Sequence, residues 1–95
     1  MEAVWIRKPT PKQKALLESQ PTWEHDVEEW DAHYDERVET CYVIEGGATV
    51  ITKDGVEHSF TVGDLVTFAP NMDCVWRVTS PIKKHYIFDM DLEDK

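Results

Sequence analysis

The sequence predicts an all-β fold, an antiparallel β-barrel of roughly eight short strands with one short N-terminal helix. Segments rich in Val, Ile, Thr, Tyr, Phe and Trp recur at close spacing, which is strand composition. Gly and Pro turn signals separate them, the clearest being Gly46-Gly47, Lys53-Asp54-Gly55, Val62-Gly63-Asp64 and Ala69-Pro70-Asn71-Met72-Asp73. A chain of 95 residues has the length of one domain, and closing its sheet removes exposed strand edges. Residues 1–95 are therefore expected to form a single unit with its core over 4–89 and an acidic, frayed tail over 90–95.

The helix is signalled by Thr10 as N-cap, Pro11 at the first helical position and Gln13 three residues after the cap, followed by Lys14, Ala15, Leu16, Leu17 and Glu18. Pro21 bars its continuation. Strands are expected near residues 4–8, 23–34, 38–45, 48–53, 56–60, 65–68, 74–79 and 84–89. Asp54-Gly55 readily supplies the positive φ angles of a type I′ hairpin turn. Alternation puts Cys74, Trp76 and Val78 on one face of their strand, expected to line the interior, with Trp76 as an inner wall. On the last strand His85, Ile87 and Asp89 share one face, opposite Tyr86 and Phe88, and alternation alone leaves open which face looks inward.

Composition narrows the function classes. The net charge of −9, from 19 acidic against 10 basic residues, repels phosphate backbones and anionic membrane surfaces, so neither nucleic acid nor membrane is an expected partner. The acid concentrates in Glu24 to Glu39 and in Asp89 to Asp94, and both runs read as solvated faces. No apolar run approaches the ~18 residues of a spanning helix. The start of the chain has neither a secretory nor an import pattern, and a cytoplasmic location is expected. Cys41 and Cys74 are too few for a disulfide framework and read as reduced, buried thiols.

Glu39-Thr40-Cys41-Tyr42-Val43-Ile44-Glu45-Gly46 followed by Gly63-Asp64-Leu65-Val66-Thr67-Phe68-Ala69-Pro70 resembles the two motifs of the cupin family (RmlC-like jelly rolls). With Lys8-Pro9-Thr10-Pro11, Tyr34-Asp35, Cys74-Val75-Trp76 and Lys84-His85-Tyr86, it is similar to the small cupins grouped with the cupin domain of ureidoglycine aminohydrolase, over about residues 4 to 89. In the broader family the first motif reads His-x-His, three or four residues, Glu, six residues, Gly; a further His follows in the second motif, and the four side chains hold a divalent metal. Glu39 and Gly46 keep that spacing, so Glu39 matches the carboxylate ligand. Counting four residues back from Glu39 puts Ala32 and Tyr34 at the His positions, counting three puts His33 and Asp35 there, and Cys74 falls at the last His. Asn71 takes a Gly position of the second motif, where Asn tolerates the left-handed conformation.

The resemblance thus implies a degenerate metal site. Tyr34, Glu39 and Cys74 lack the imidazoles that make first-row metal sites strong, whereas His33, Asp35, Glu39 and Cys74 would offer a mixed N, O and S set to a divalent transition metal such as Zn²⁺ or Fe²⁺. Glu39, set in an apolar strand, is expected to be paired or to have a perturbed pKa, and is the candidate catalytic acid or base. Cys74 as a nucleophile would need a base or charge from Lys84 or His85. The first functional expectation is a metal-free barrel binding a small, partly apolar or carbonyl-bearing molecule through Tyr34, Glu39, Cys74, Trp76 and His85. The alternatives are a metal-dependent hydrolase or isomerase of a small metabolite, and a structural module forming a homodimer through the Val4-Trp5-Ile6 segment.

Overall fold

The computed structural model describes residues 3–89, so the acidic tail expected after Met90 lies outside the described residues. The elements run β1 (Val4–Arg7), α1 (Pro11–Glu18), β2 (Thr22–His25), β3 (Glu29–His33), β4 (Glu39–Thr52), β5 (Glu57–Thr61), β6 (Leu65–Phe68) and β7 (Asp73–Phe88). Every strand pair is antiparallel. Two long strands form the spine: β4 pairs with β7 from Glu39 opposite Phe88 to Thr52 opposite Cys74. One leaf is ordered β1-β6-β4-β7-β2, while β5 and β3 extend the other ends of β4 and β7 into a second leaf. The result is the expected all-β jelly roll, but its hydrogen-bonded ladder is not closed: among the described residues β1 bonds to β6 alone, and β2 and β3 to β7 alone.

The spine bends, and the bend explains where the expected strand boundaries differ. Gly46-Gly47 reads as a turn but forms bulges within a continuous β4, with the register shifting between Val43 and Ala48. Gly46 sits at φ +68°, and a Cβ there would lie 2.0 Å from the carbonyl oxygen of Pro81. Opposite, Ser80-Pro81 lies inside β7, where the bulge accommodates the missing N–H of proline. The single strand expected over 23–34 divides at Asp26-Val27-Glu28, because β2 follows Ile82–His85 and β3 follows Asp73–Arg77, on either side of the same bend.

Local signals that need no distant partner hold. Thr10 Oγ1 accepts from Gln13 N–H at 3.2 Å and Gln13 Oε1 accepts from Thr10 N–H at 2.9 Å, completing the capping box. Asn71 adopts φ 58°. The 53–55 hairpin differs in type: Gly55 alone has positive φ, its N–H closing on Thr52 C=O at 2.8 Å, as in a turn followed by a one-residue bulge.

Residues of the two leaves interleave in the core, with Val43, Val50, Val66, Phe68, Trp76, Val78 and Ile82 at 3% exposure or less. A smaller cluster on the outer side seats α1, whose Leu17 is fully buried against Tyr42 and Leu65. Gly46→Ala should therefore lose at least ~2 kcal/mol in urea unfolding, combining left-handed strain with overlap on Pro81. Gly55→Ala, at φ +84° with open space around it, should lose only about 1 kcal/mol; equal losses would mean the spine does not bend at Gly46.

Candidate functional site

Register settles which face of β7 looks inward. Directly paired residues of an antiparallel ladder share a face, so Phe88 opposite Glu39, Tyr86 opposite Cys41 and Lys84 opposite Val43 all point into the barrel. His85, opposite Tyr42, points out, and its Nδ1 lies 2.8 Å from the carbonyl oxygen of Gln20. At the barrel mouth these strands leave a pocket of about 270 Å³ lined by Trp23, Trp30, Ala32, Tyr34, Glu39, Trp76, Lys84, Tyr86 and Phe88.

A buried ion pair sets the chemistry of this pocket. Lys84 Nζ donates to Glu39 Oε2 at 2.7 Å, with both residues at 9% exposure or less. Trp rings flank the ammonium, with centroids 5.0 Å away for Trp23 and 5.1 Å for Trp76. Burial pulls the Lys84 pKa down, but Cys41, the Glu39 charge and hydrogen bond, and Tyr86 outweigh it, so the net shift is upward and the amine stays charged. Glu39 Oε1 has no hydrogen-bond partner among the described residues.

Tyr34 supplies a directed donor. Trp76 Nε1–H donates to its Oη at 2.9 Å, and Phe68 stacks on its ring at 5.0 Å. Burial, then the negative charge of Glu39, holds its pKa well above the ordinary phenol value. With its oxygen accepting from Trp76, the Tyr34 proton is left for the pocket. Trp30 lies parallel to Trp76 at 5.9 Å and Trp23 meets it edge-on at 5.9 Å, so the three rings pack into one aromatic lining of the pocket.

Of the residues singled out from the sequence, Tyr34, Glu39 and Trp76 come together here; Cys74 and His85 do not. Cys74 packs in the core and borders a different depression, near His33, Lys53 and Asp73. Burial, then Asp73, pushes its thiol up to about 11, and burial pushes Cys41 up to about 12, so neither is a thiolate near neutral pH. The mixed metal set also diverges: His33 pairs with Asp73 at 2.7 Å and Asp35 with Arg37 at 2.9 Å, both toward solvent. Among the described residues no three His, Cys, Asp or Glu side chains converge on a metal position. The four-residue count describes the pocket instead, since Ala32 and Tyr34 line it with Glu39. A methyl, a protonated phenol and a carboxylate already bonded to an ammonium do not fit a divalent ion.

The residue missed from the sequence is Lys84, weighed there only as a helper to Cys74. Two signals point to it: its alternation with Tyr86 and Phe88, and the demand of a buried Glu39 for a positive partner. Removing one partner strands a buried charge, so Glu39→Gln or Lys84→Met alone should cost about 3–5 kcal/mol in urea unfolding, and the double substitution clearly less than the sum. Additive losses would mean the pair does not form.

The buried titratable groups also set an alkaline limit. The ordinary values are 9.0 for Cys, 10.0 for Tyr and 10.5 for Lys, and Cys41, Cys74, Tyr34 and Lys84 are all raised above them by folding. Above pH 9 the unfolded chain releases these protons while the folded chain retains them, so stability falls as pH rises. The Lys84 contribution is complete below pH 10.5 and is lost as pH rises through its raised folded value. Thermal melts should show Tm level from pH 7 to 8.5 and declining beyond pH 9; a level Tm to pH 11 would contradict the protonation states described.

Comparison with known proteins places this geometry in a family. The model of the EutQ-like cupin domain matches residues 13–86. A DUF861 family protein from Thermotoga maritima is 46% identical and superposes with a TM-score of 0.81, covering 88% of this chain and 97% of that one. The EutQ protein of Clostridium difficile, 21% identical with a TM-score of 0.64, covers 90% of this chain and 66% of its own length. A putative ethanolamine utilization protein Q of Salmonella typhimurium, 13% identical with a TM-score of 0.64, covers 90% and 68%. These last two share the fold. Among curated proteins no match is found. The chain belongs to the EutQ-like cupin domain family.

Proposed function

We propose that this protein is a small-molecule-binding cupin whose mouth pocket takes a small, partly apolar, carbonyl-bearing ligand without the help of a metal. The observation that carries the reading is the Lys84–Glu39 pair, buried at 2.7 Å between tryptophan rings inside a pocket. A buried ion pair is a poor device for stability, since well-packed apolar residues in its place are commonly as stable or more so. This pair has hydrogen-bonding capacity left over: further Lys84 N–H groups and the Tyr34 O–H as donors, and Glu39 Oε1 as acceptor. A carbonyl oxygen meets the donors while a small carbon frame lies against the aromatic lining of the pocket. At about 270 Å³ the pocket lies just below the usual ligand-site range of about 300–1,000 Å³, which limits it to a small ligand.

Acid–base chemistry at Glu39 is the second reading, favoured by a carboxylate that lines the pocket with only its Oε2 bonded to Lys84. The metal-dependent hydrolase or isomerase has less support, because its candidate ligands point apart. The resemblance to the cupin domain of ureidoglycine aminohydrolase rests on the sequence motifs alone and gives that activity no support here. Two free thiols suit a reducing, cytoplasmic setting. Self-association through the edge strand β1, where Trp5 is 39% exposed, is a compatible role for the outer surface.

Trp23, Trp30 and Trp76 supply the readout. In a screen of small ketones, amides and carboxylates by tryptophan fluorescence, a binder should lose about tenfold in affinity in Tyr34→Phe and more in Lys84→Met. Unchanged affinity in both variants would remove the pocket as the binding site.

A further inference from the structure

Six residues separate Glu39 from Gly46, and on the face of the pocket it shares with Ala32 and Tyr34 its carboxylate is bonded to an ammonium. These three positions are the ones at which histidine-bearing cupins place metal ligands in their first motif. Lys84 reaches the carboxylate from β7, across the barrel mouth, 45 residues away in sequence. Its ammonium is held by aromatic faces on two sides, so its place is fixed by the walls as well as by the carboxylate. A second cation bound at Glu39 would face this ammonium at close range, in a site screened from water, with no imidazole to offset the repulsion.

We propose that Lys84 is the resident cation of this barrel: its ammonium occupies the position of the metal ion, supplies the positive charge facing a ligand oxygen, and excludes divalent ions from Glu39. The inference goes beyond ligand binding, and its test uses metal alone, so it can fail while the ligand-binding reading stands, and the reverse. It makes the absence of histidines and the presence of Lys84 two parts of one exchange. Restoring imidazoles alone should not restore a metal site; the lysine must also go.

The test compares Ala32→His/Tyr34→His with the same pair plus Lys84→Ala, each confirmed as folded by circular dichroism, in titrations with Co²⁺ followed by visible absorption. The triple variant should bind one equivalent, and the double variant, with Lys84 retained, should bind at least tenfold more weakly. Equal affinity in the two would overturn the proposal. A second measurement needs no remodelled site: the natural chain should show no Co²⁺ uptake that depends on Glu39. One equivalent bound by the natural chain and lost in Glu39→Gln/Lys84→Met would overturn the proposal even if the triple variant failed to fold. Weak uptake that survives in that double variant belongs to the surface and agrees with it.

Discussion

The antiparallel pairing of β4 with β7 is the constraint on which the other features depend. It runs from Glu39 opposite Phe88 to Thr52 opposite Cys74, and it supplies both leaves of the jelly roll with their central strands. Because side chains alternate along each strand, this one register decides at once that Lys84 and Tyr86 look inward and His85 outward. A one-residue slip would exchange them, exposing Lys84 and turning His85 toward Glu39. The bulges at Gly46-Gly47 and the interruption at Ser80-Pro81 let the pairing continue through the bend between the leaves. Core, pocket and ion pair follow from the same ladder.

Within that frame, charge is placed against the usual preference of a core. Glu39 and Lys84 are both buried, and each is tolerable there because the other is 2.7 Å away and the tryptophan faces favour a cation. Desolvation alone would draw Lys84 toward neutrality, yet its neighbours leave its pKa above the ordinary value. Tyr34 is held protonated by the same surroundings and receives a hydrogen bond from Trp76, which leaves its own proton available to the pocket. The pocket thus presents a fixed cation, a directed hydroxyl and one carboxylate oxygen. Fixed dipoles and charges of this kind need little reorganisation when a polar ligand arrives.

Features determined by near neighbours in sequence were legible there. The capping box at Thr10 and Gln13, the left-handed Asn71 and the strand composition of 65–68 all depend on a few adjacent residues. Features determined by distant partners were not. Gly46-Gly47 gives one signal for a turn and for a bulge, and what decides between them is Pro81 across the ladder. The division of the 23–34 segment reflects a bend in β7, more than 40 residues further on. In the site, Glu39 drew attention because a carboxylate in an apolar strand is locally anomalous. Lys84 did not, since Lys83-Lys84-His85 reads as an ordinary polar stretch until register shows which member is enclosed. His33 and Asp35 had the right chemistry for a metal but the wrong parity along the chain, being one residue out of phase with Tyr34.

The most direct test of the central claim, a charged Lys84 enclosed beside Glu39 between tryptophan rings, is side-chain ¹⁵N NMR of the lysine ammonium groups. Lys84→Met assigns the Lys84 signal. We predict one ammonium resonance displaced by ring currents, slow to exchange with water, and still protonated above pH 10.5. A Lys84 ammonium that exchanges as fast as the exposed lysines and carries no ring-current shift would contradict the account.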